Sequence, residues 1–174
     1  MKDRKQFLQE VVAPRHCREA IEIGTHRGGF AEWILEFGEV FHLTCVDPWL
    51  GQFYPKQDPE ARYREARQRL AKYFARVTVL RDKSLGVIDS YADGHFDFVY
   101  LDALHRYTYE DGSGIKADMA WWDKVAPGGV FAGHDYYSRH DCGVIQAVTE
   151  FAAETGQEIH VTTDDKHPTW WTIK

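Results

Sequence analysis

Cysteine is scarce in this chain. The 174 residues hold three, Cys17, Cys45 and Cys142, odd in number and far apart. Such spacing signals neither a disulfide framework nor a Cys-x-x-Cys zinc site, and it fits a reducing cytosol. No apolar run of about 18 residues occurs, and no N-terminal apolar signal core, so the expectation is a soluble, cytoplasmic protein with no membrane partner. Basic residues are outnumbered, 21 Lys and Arg against 27 Asp and Glu, for a net charge of −6. Nucleic-acid backbones are held by basic patches, so nucleic acid is not the expected partner. Internal repeats, low-complexity tracts and long linkers are also missing. Hydrophobic residues at 44% and charged residues at 28% exclude wholesale disorder. The length suits one domain, 1–174, with a full core.

What the sequence does contain is organised around Ala20-Ile21-Glu22-Ile23-Gly24-Thr25-His26-Arg27-Gly28-Gly29 and the apolar, helically spaced Phe30, Trp33, Ile34 and Phe37. This reads as a buried strand, a glycine turn and a helix. Glycines at such a turn allow positive φ and close approach to a ligand, and the helix start offers unpaired N–H groups. Glu22 adds a charge beside the opening.

Around this unit the apolar pattern predicts a short helix over 2–12 and strands at Val40–Val46, Val77–Leu80, Phe96–Leu101 and Val130–Gly133, with a hairpin from Glu158–Thr162 and Trp170–Ile173. Helices are predicted from Asp58 to about Phe74, from Ser84 to about Tyr91, over 112–122 and from Gly143 onward. Asp58-Pro59-Glu60 is a helix start, and the charges Arg62, Arg64, Glu65, Arg67, Arg69 and Lys72 read as a solvated face. Trp121 and Trp122 should divide between core and surface. Trp170 and Trp171 should do the same on the last strand. The loop Trp49–Pro55, with Leu50, Phe53 and Tyr54, reads as a lid or a dimer contact. Cys142 is expected to pack at a helix start and His140 to lie in a loop.

Strands alternating with helices give an α/β fold with a mostly parallel sheet. Asp47 ends the second strand, 19 positions after Gly28. An acidic residue about 20 positions past a glycine turn is where a ribose hydroxyl pair is usually held. A dinucleotide fingerprint, Gly-x-Gly-x-x-Gly, is not formed, because position 26 is His. No P-loop signature occurs either.

Glu22-x-Gly24-x-x-x-Gly28, Asp47, the Asp82 region, Asp102 after the fourth strand and Pro127-Gly128-Gly129 before the fifth closely resemble the class I S-adenosylmethionine-dependent methyltransferases when taken in order. The nearest group is the small bacterial type carrying Leu101-Asp102-Ala103-Leu104-His105 and Gly128-Gly129-Val130-Phe131-Ala132-Gly133-His134-Asp135-Tyr136. The resemblance implies a Rossmann-like seven-stranded, mostly parallel sheet with helices on both faces and a C-terminal antiparallel hairpin. It implies S-adenosyl-L-methionine as cofactor. Glu22 would neutralise the methionine ammonium, Gly24, Thr25 and Gly28 would approach the methionine and ribose, and Asp47 would accept from the ribose hydroxyls. Asp82, Lys83 and Ser84 would contact adenine.

The tips of the fourth and fifth strands gather Asp102, His105, His134 and Asp135, with Tyr107, Tyr109, Tyr136 and Tyr137 close by. The Asp-x-x-His pattern is similar to metal-dependent sugar and secondary-metabolite O-methyltransferases. That similarity implies His105 as general base and Asp102 as a catalytic metal ligand, with Asp102, His134 and Asp135 as the metal set. Two acidic ligands follow strand five in that group, and here one of them is His134. The exchange suits manganese, iron or zinc better than magnesium, and it is equally compatible with no metal, the histidines then shaping the pocket. The expected activity is methyl transfer to a hydroxyl of a small molecule, a sugar or secondary metabolite, by a monomer or homodimer. The alternatives are a cofactor-binding regulatory module without turnover and an NAD-linked oxidoreductase.

Overall fold

The computed structural model describes residues 1–51, 56–138, 142–163 and 166–174. Seven strands form one sheet: β1 (Glu19–Ile23), β2 (His42–Val46), β3 (Val77–Leu80), β4 (Phe96–Leu101), β5 (Val125–Gly133), β6 (His160–Val161) and β7 (Trp170–Ile173). Their order is β3-β2-β1-β4-β5-β7-β6. The first five pair in parallel, β7 runs antiparallel to β5, and β6 runs antiparallel to β7. This is the mostly parallel, hairpin-ended sheet that the sequence predicts.

Both faces of the sheet are covered, which is why β1, β2 and β4 read as near-continuous apolar runs. On one face pack α1 (Arg4–Phe7) with its continuation through Val12, α2 (Gly29–Phe37) and α3 (Pro59–Leu70), around Phe7, Val12, Ile34, Leu35, Leu70, Phe98 and Tyr100. The other face holds α4 (Ser84–Val87), α5 (Ile115–Asp118) and α6 (Val144–Thr155), around Ile21, Ile23, Val99, Phe131, Trp121, Val148 and Phe151. Asp58 caps α3 by accepting from the Glu60 N–H at 2.9 Å, with Pro59 in the first turn. Gly156 ends α6 at φ 72°.

Four expectations are corrected. Strand five begins at Val125, because the Pro127-Gly128-Gly129 segment is a bulge: Phe96 pairs with Val125 and Phe98 with Val130. Trp170 and Trp171 are both buried, since β7 lies inside the sheet and each indole enters one of the two cores. On α2 it is Trp33 that faces solvent, while Ala31, Ile34 and Leu35 are buried. The predicted helix over 112–122 is the short α5 followed by a 3-10 turn, Met119–Lys124. Trp121 and Trp122 do divide, into a fully buried and a half-buried ring. No helix among the described residues is long and apolar enough to cross a membrane.

Candidate active site

The sheet changes direction of growth between β1 and β4, and a crevice opens there at the carboxyl ends of the strands. Backbone bonds join the successive tips. Gly24 N–H donates to Val46 O at 2.8 Å, Asp102 N–H to Ile23 O at 2.8 Å, and His134 N–H to Leu101 O at 2.9 Å. The crevice holds a cavity of about 520 Å³ whose wall includes Gly24, Asp47, Asp82, Lys83, Ser84, Asp102 and His105. Seven of the residues singled out in the sequence thus meet in one space.

Gly24 has φ +100°, and a Cβ on it would lie 2.2 Å from the Asp102 carbonyl oxygen. Only glycine lets β1 and β4 close at this point. Asp47 holds the turn from the other side, accepting from His26 N–H at 2.8 Å and Trp49 N–H at 2.6 Å. Each of its oxygens keeps a further lone pair for a ligand in the cavity.

Gly28 is not in the cavity wall. At φ +74° it starts α2, and a Cβ would meet Ala66 Cα of α3 at 3.3 Å, so its smallness serves helix packing. Glu22 and Thr25 are also outside the wall. They are 1% and 3% exposed, and Glu22 Oε2 and Thr25 Oγ1 find no hydrogen-bond partner among the described residues. Burial, with the Asp102 charge nearby, pushes the Glu22 carboxyl up to about 8. A buried carboxyl oxygen without a partner, two residues before the glycine that opens the cavity, is placed to ionise against a cationic ligand group.

Asp135 has φ 57° and is nearly buried at the tip of β5. Three imidazoles surround it. His105 Nδ1 lies 3.0 Å from Oδ2, His167 Nδ1 2.7 Å from Oδ1, and His134 Nδ1 3.4 Å from Oδ1. His134 Nδ1 also faces Asp102 Oδ1 at 3.3 Å. Burial disfavours the His134 imidazolium, but the Asp102 and Asp135 carboxylates outweigh it and raise the ring to about 9. Burial likewise opposes ionisation of Asp135, yet the adjacent imidazoles bring it down to about 2. Ligand atoms of Asp102, His134 and Asp135 lie within 4.8 Å of one another.

Other predicted neighbours go elsewhere. Tyr107 Oη donates to Glu150, Tyr137 packs edge-on against His167, and Tyr109 lines the cavity. Cys142 is half-buried, its Sγ 3.4 Å from the Asp135 carbonyl. Trp49 does not belong to a lid, because it is buried, donates from Nε1 to His26 O at 2.7 Å and meets Tyr63 edge-on. Leu50 does line the cavity. Phe53, Tyr54, Pro55, His140, Asp141 and the Asp164-Asp165 hairpin tip lie outside the described residues.

Four residues had no role in the sequence reading. Arg62, assigned there to a solvated face, is 1% exposed, lines the cavity and donates to Leu50 O at 3.0 Å. Arg4 approaches Asp102 at 3.9 Å, His167 joins the imidazole cluster, and Asp118 is a buried carboxylate in the cavity wall. Asp118 alone had a local signal, an acidic residue set among Ile115, Ala117, Met119 and Trp121.

A parallel sheet grown outward from the β1–β4 switch, finished by a reversed β7 and opening its cavity at the strand ends, is the Rossmann-like fold of the class I methyltransferases. The chain belongs to the family described as methyltransferase domain, whose model matches residues 21–136. No curated protein matches the chain. Among solved structures, a protein of Corynebacterium glutamicum is 19% identical with a TM-score of 0.70, over 99% of this chain and 82% of that one. The O-methyltransferase TomG of Streptomyces achromogenes, involved in tomaymycin synthesis and solved in complex with SAM, is 19% identical with a TM-score of 0.67, over 98% and 79%. An rRNA methylase of Streptococcus thermophilus is 15% identical with a TM-score of 0.66, over 98% and 93%. At these identities the likeness is one of fold.

Proposed function

We propose that the chain transfers a methyl group from S-adenosylmethionine to a hydroxyl of a small molecule. The observation that carries this reading is His105 in the wall of the cavity that also contains Gly24 and Asp47, with Asp135 3.0 Å from its Nδ1. Family membership supports the transfer chemistry. The excess of acidic over basic residues supports a small acceptor over RNA.

When bound, the cofactor supplies an electrophilic methyl on a sulfonium. Glu22 would meet its ammonium, directly or through water, and Asp47 the ribose hydroxyls. His105 does the proton work. Its Nδ1 is turned to Asp135, so the proton sits there and Nε2 is the basic nitrogen, facing away from the carboxylate. Nε2 takes the acceptor's proton as the oxygen attacks, and Asp135 stabilises the imidazolium that results.

Asp102, His134 and Asp135 also form a donor set of two carboxylates and one imidazole, which fits manganese, iron or zinc better than magnesium. A cation there would lower the pKa of the acceptor hydroxyl and orient it.

Incubation with methyl-labelled S-adenosylmethionine and a panel of sugars, phenols and alcohols tests the reading. Label should enter at least one acceptor and be lost on His105→Ala. Tight S-adenosylhomocysteine binding with no acceptor labelled would point to a regulatory module. Binding of NAD in its place would refute the cofactor assignment.

A further inference from the structure

The cavity wall contains a further, buried carboxylate that no step above uses. Asp118 closes α5 and is 3% exposed, yet it forms part of the cavity wall beside Ser84 and Gly86. Trp121 Nε1–H donates to Ser84 Oγ at 2.8 Å. Because that oxygen accepts from the indole, the Ser84 hydroxyl proton is directed at its other neighbour, Asp118 Oδ1, 2.5 Å away. No other described side chain bonds to the Asp118 carboxylate or pairs with it. With one oxygen bonded to Ser84 and the residue in the cavity wall, the second oxygen is an acceptor that a ligand in the cavity can meet.

Asp82, which the family resemblance sets against adenine together with Lys83 and Ser84, is more open to solvent than Asp118. It is exposed, and its Oδ1 accepts from the Lys83 N–H at 2.7 Å. The same oxygen lies 2.6 Å from where a Gly86 Cβ would stand. One oxygen of Asp82 is therefore committed to the turn into α4, while the residue still lines the cavity.

We propose that Asp118, held by the Trp121–Ser84 relay, is the residue that reads the purine ring, accepting from the exocyclic 6-amino group and rejecting a 6-oxo purine. This rests on the reading of the cavity as an S-adenosylmethionine site. The selection follows from the fixed direction of the relay. With Oδ1 committed to the Ser84 proton, Oδ2 presents only lone pairs, which attract an N–H and repel a carbonyl oxygen. Burial pushes the carboxyl up to about 6, so at pH 8 it is an ionised acceptor, and charge-assisted hydrogen bonds of this kind are the stronger ones.

Calorimetry at pH 8 with S-adenosylhomocysteine and S-inosylhomocysteine tests the assignment. The wild type should prefer the adenine form by about tenfold or more. In Asp118→Asn the amide oxygen must face the Ser84 proton, which turns the NH2 toward the purine, so the preference should invert. Adding Ser84→Ala frees the amide to flip and should bring part of the adenine preference back. An Asp118→Asn protein that melts cooperatively and keeps the wild-type ratio overturns the proposal. So does a wild-type preference below about threefold, which needs no variant. If the wild type binds neither compound, it is the cofactor reading that fails, and the two failures are told apart in one titration series.

Discussion

His105 Nδ1 and Asp135 Oδ2 stand 3.0 Å apart, one from the loop after β4 and one from the tip of β5, with Asp135 nearly buried and His105 partly open to the cavity. A buried carboxylate behind a ring that faces a ligand space fixes both tautomer and orientation. His105→Ala should lower transfer about 10²- to 10⁴-fold, the usual range for loss of a general base. Affinity for S-adenosylhomocysteine should stay within about threefold by calorimetry. Asp135→Asn should lower the turnover rate more than it alters KM, since it leaves the ring in place with the wrong tautomer. A large loss of cofactor affinity in His105→Ala would contradict this division of labour.

Glu22 makes an opposite pair of predictions for stability and binding. Its folded-state carboxyl titrates near 8, well above the ordinary 4.5, so the protonated form is favoured on folding. That stability is complete below about 4.5 and is lost as pH rises through about 8. Glu22→Gln removes the charge and keeps the shape. At pH 8 it should raise the melting point of the ligand-free protein by several degrees, on the order of 2 kcal/mol. At pH 4.5 the difference should shrink. The same variant should bind S-adenosylhomocysteine at least about tenfold more weakly, because the ammonium loses its counter-charge. A variant that binds as well as wild type would remove Glu22 from the ligand contacts.

For the Asp102, His134 and Asp135 donor set, manganese or zinc at about 100 times the dissociation constant should stabilise the protein by about 2.7 kcal/mol. Magnesium at the same concentration should do markedly less, because one of the three donors is nitrogen. Thermal melts with each cation, with and without chelator, give the comparison. Asp102→Asn should abolish the response. Equal stabilisation by all three cations, or by none, would exclude the set as a selective site.

Four of the five parallel strands, β1, β2, β4 and β5, were legible because strands covered on both faces are largely apolar runs, each here closed by a residue with a reason to sit at a tip: Gly24, Asp47, Asp102, His134. The cavity wall was legible for the same reason, since those tips converge by topology alone. What escaped was set by distant parts of the chain. His167 reaches Asp135 only because β7 folds back antiparallel to β5, and nothing around His167 in sequence signals that return. Arg62 sits in a helix whose neighbours are charged, so its pattern reads as solvent-facing. The Leu50 carbonyl that draws it inward belongs to a loop 12 residues earlier. Pro127-Gly128-Gly129 reads as a turn before a strand, and only the pairing of Val125 with Phe96 reveals it as a bulge within one.

The two glycines of the opening motif separate ligand cradle from scaffold. Both have positive φ, +100° at Gly24 and +74° at Gly28, and an L-residue in the left-handed region costs roughly 1–2 kcal/mol. Their surroundings differ. A methyl at Gly24 meets the Asp102 backbone at 2.2 Å, where neither strand can yield without opening the β1–β4 pair. A methyl at Gly28 meets Ala66 Cα at 3.3 Å, a contact that a few tenths of an ångström between α2 and α3 relieve. Gly24→Ala should therefore lower stability by more than about 3 kcal/mol, combining strain with overpacking, and should abolish S-adenosylhomocysteine binding in whatever fraction folds. Gly28→Ala should cost about 1–2 kcal/mol and leave cofactor affinity within about twofold, because no part of it reaches the cavity. Denaturant melts paired with calorimetry on both variants give the two numbers. If Gly28→Ala loses binding while keeping its stability, the whole motif belongs to the ligand and the scaffold role assigned to Gly28 is wrong.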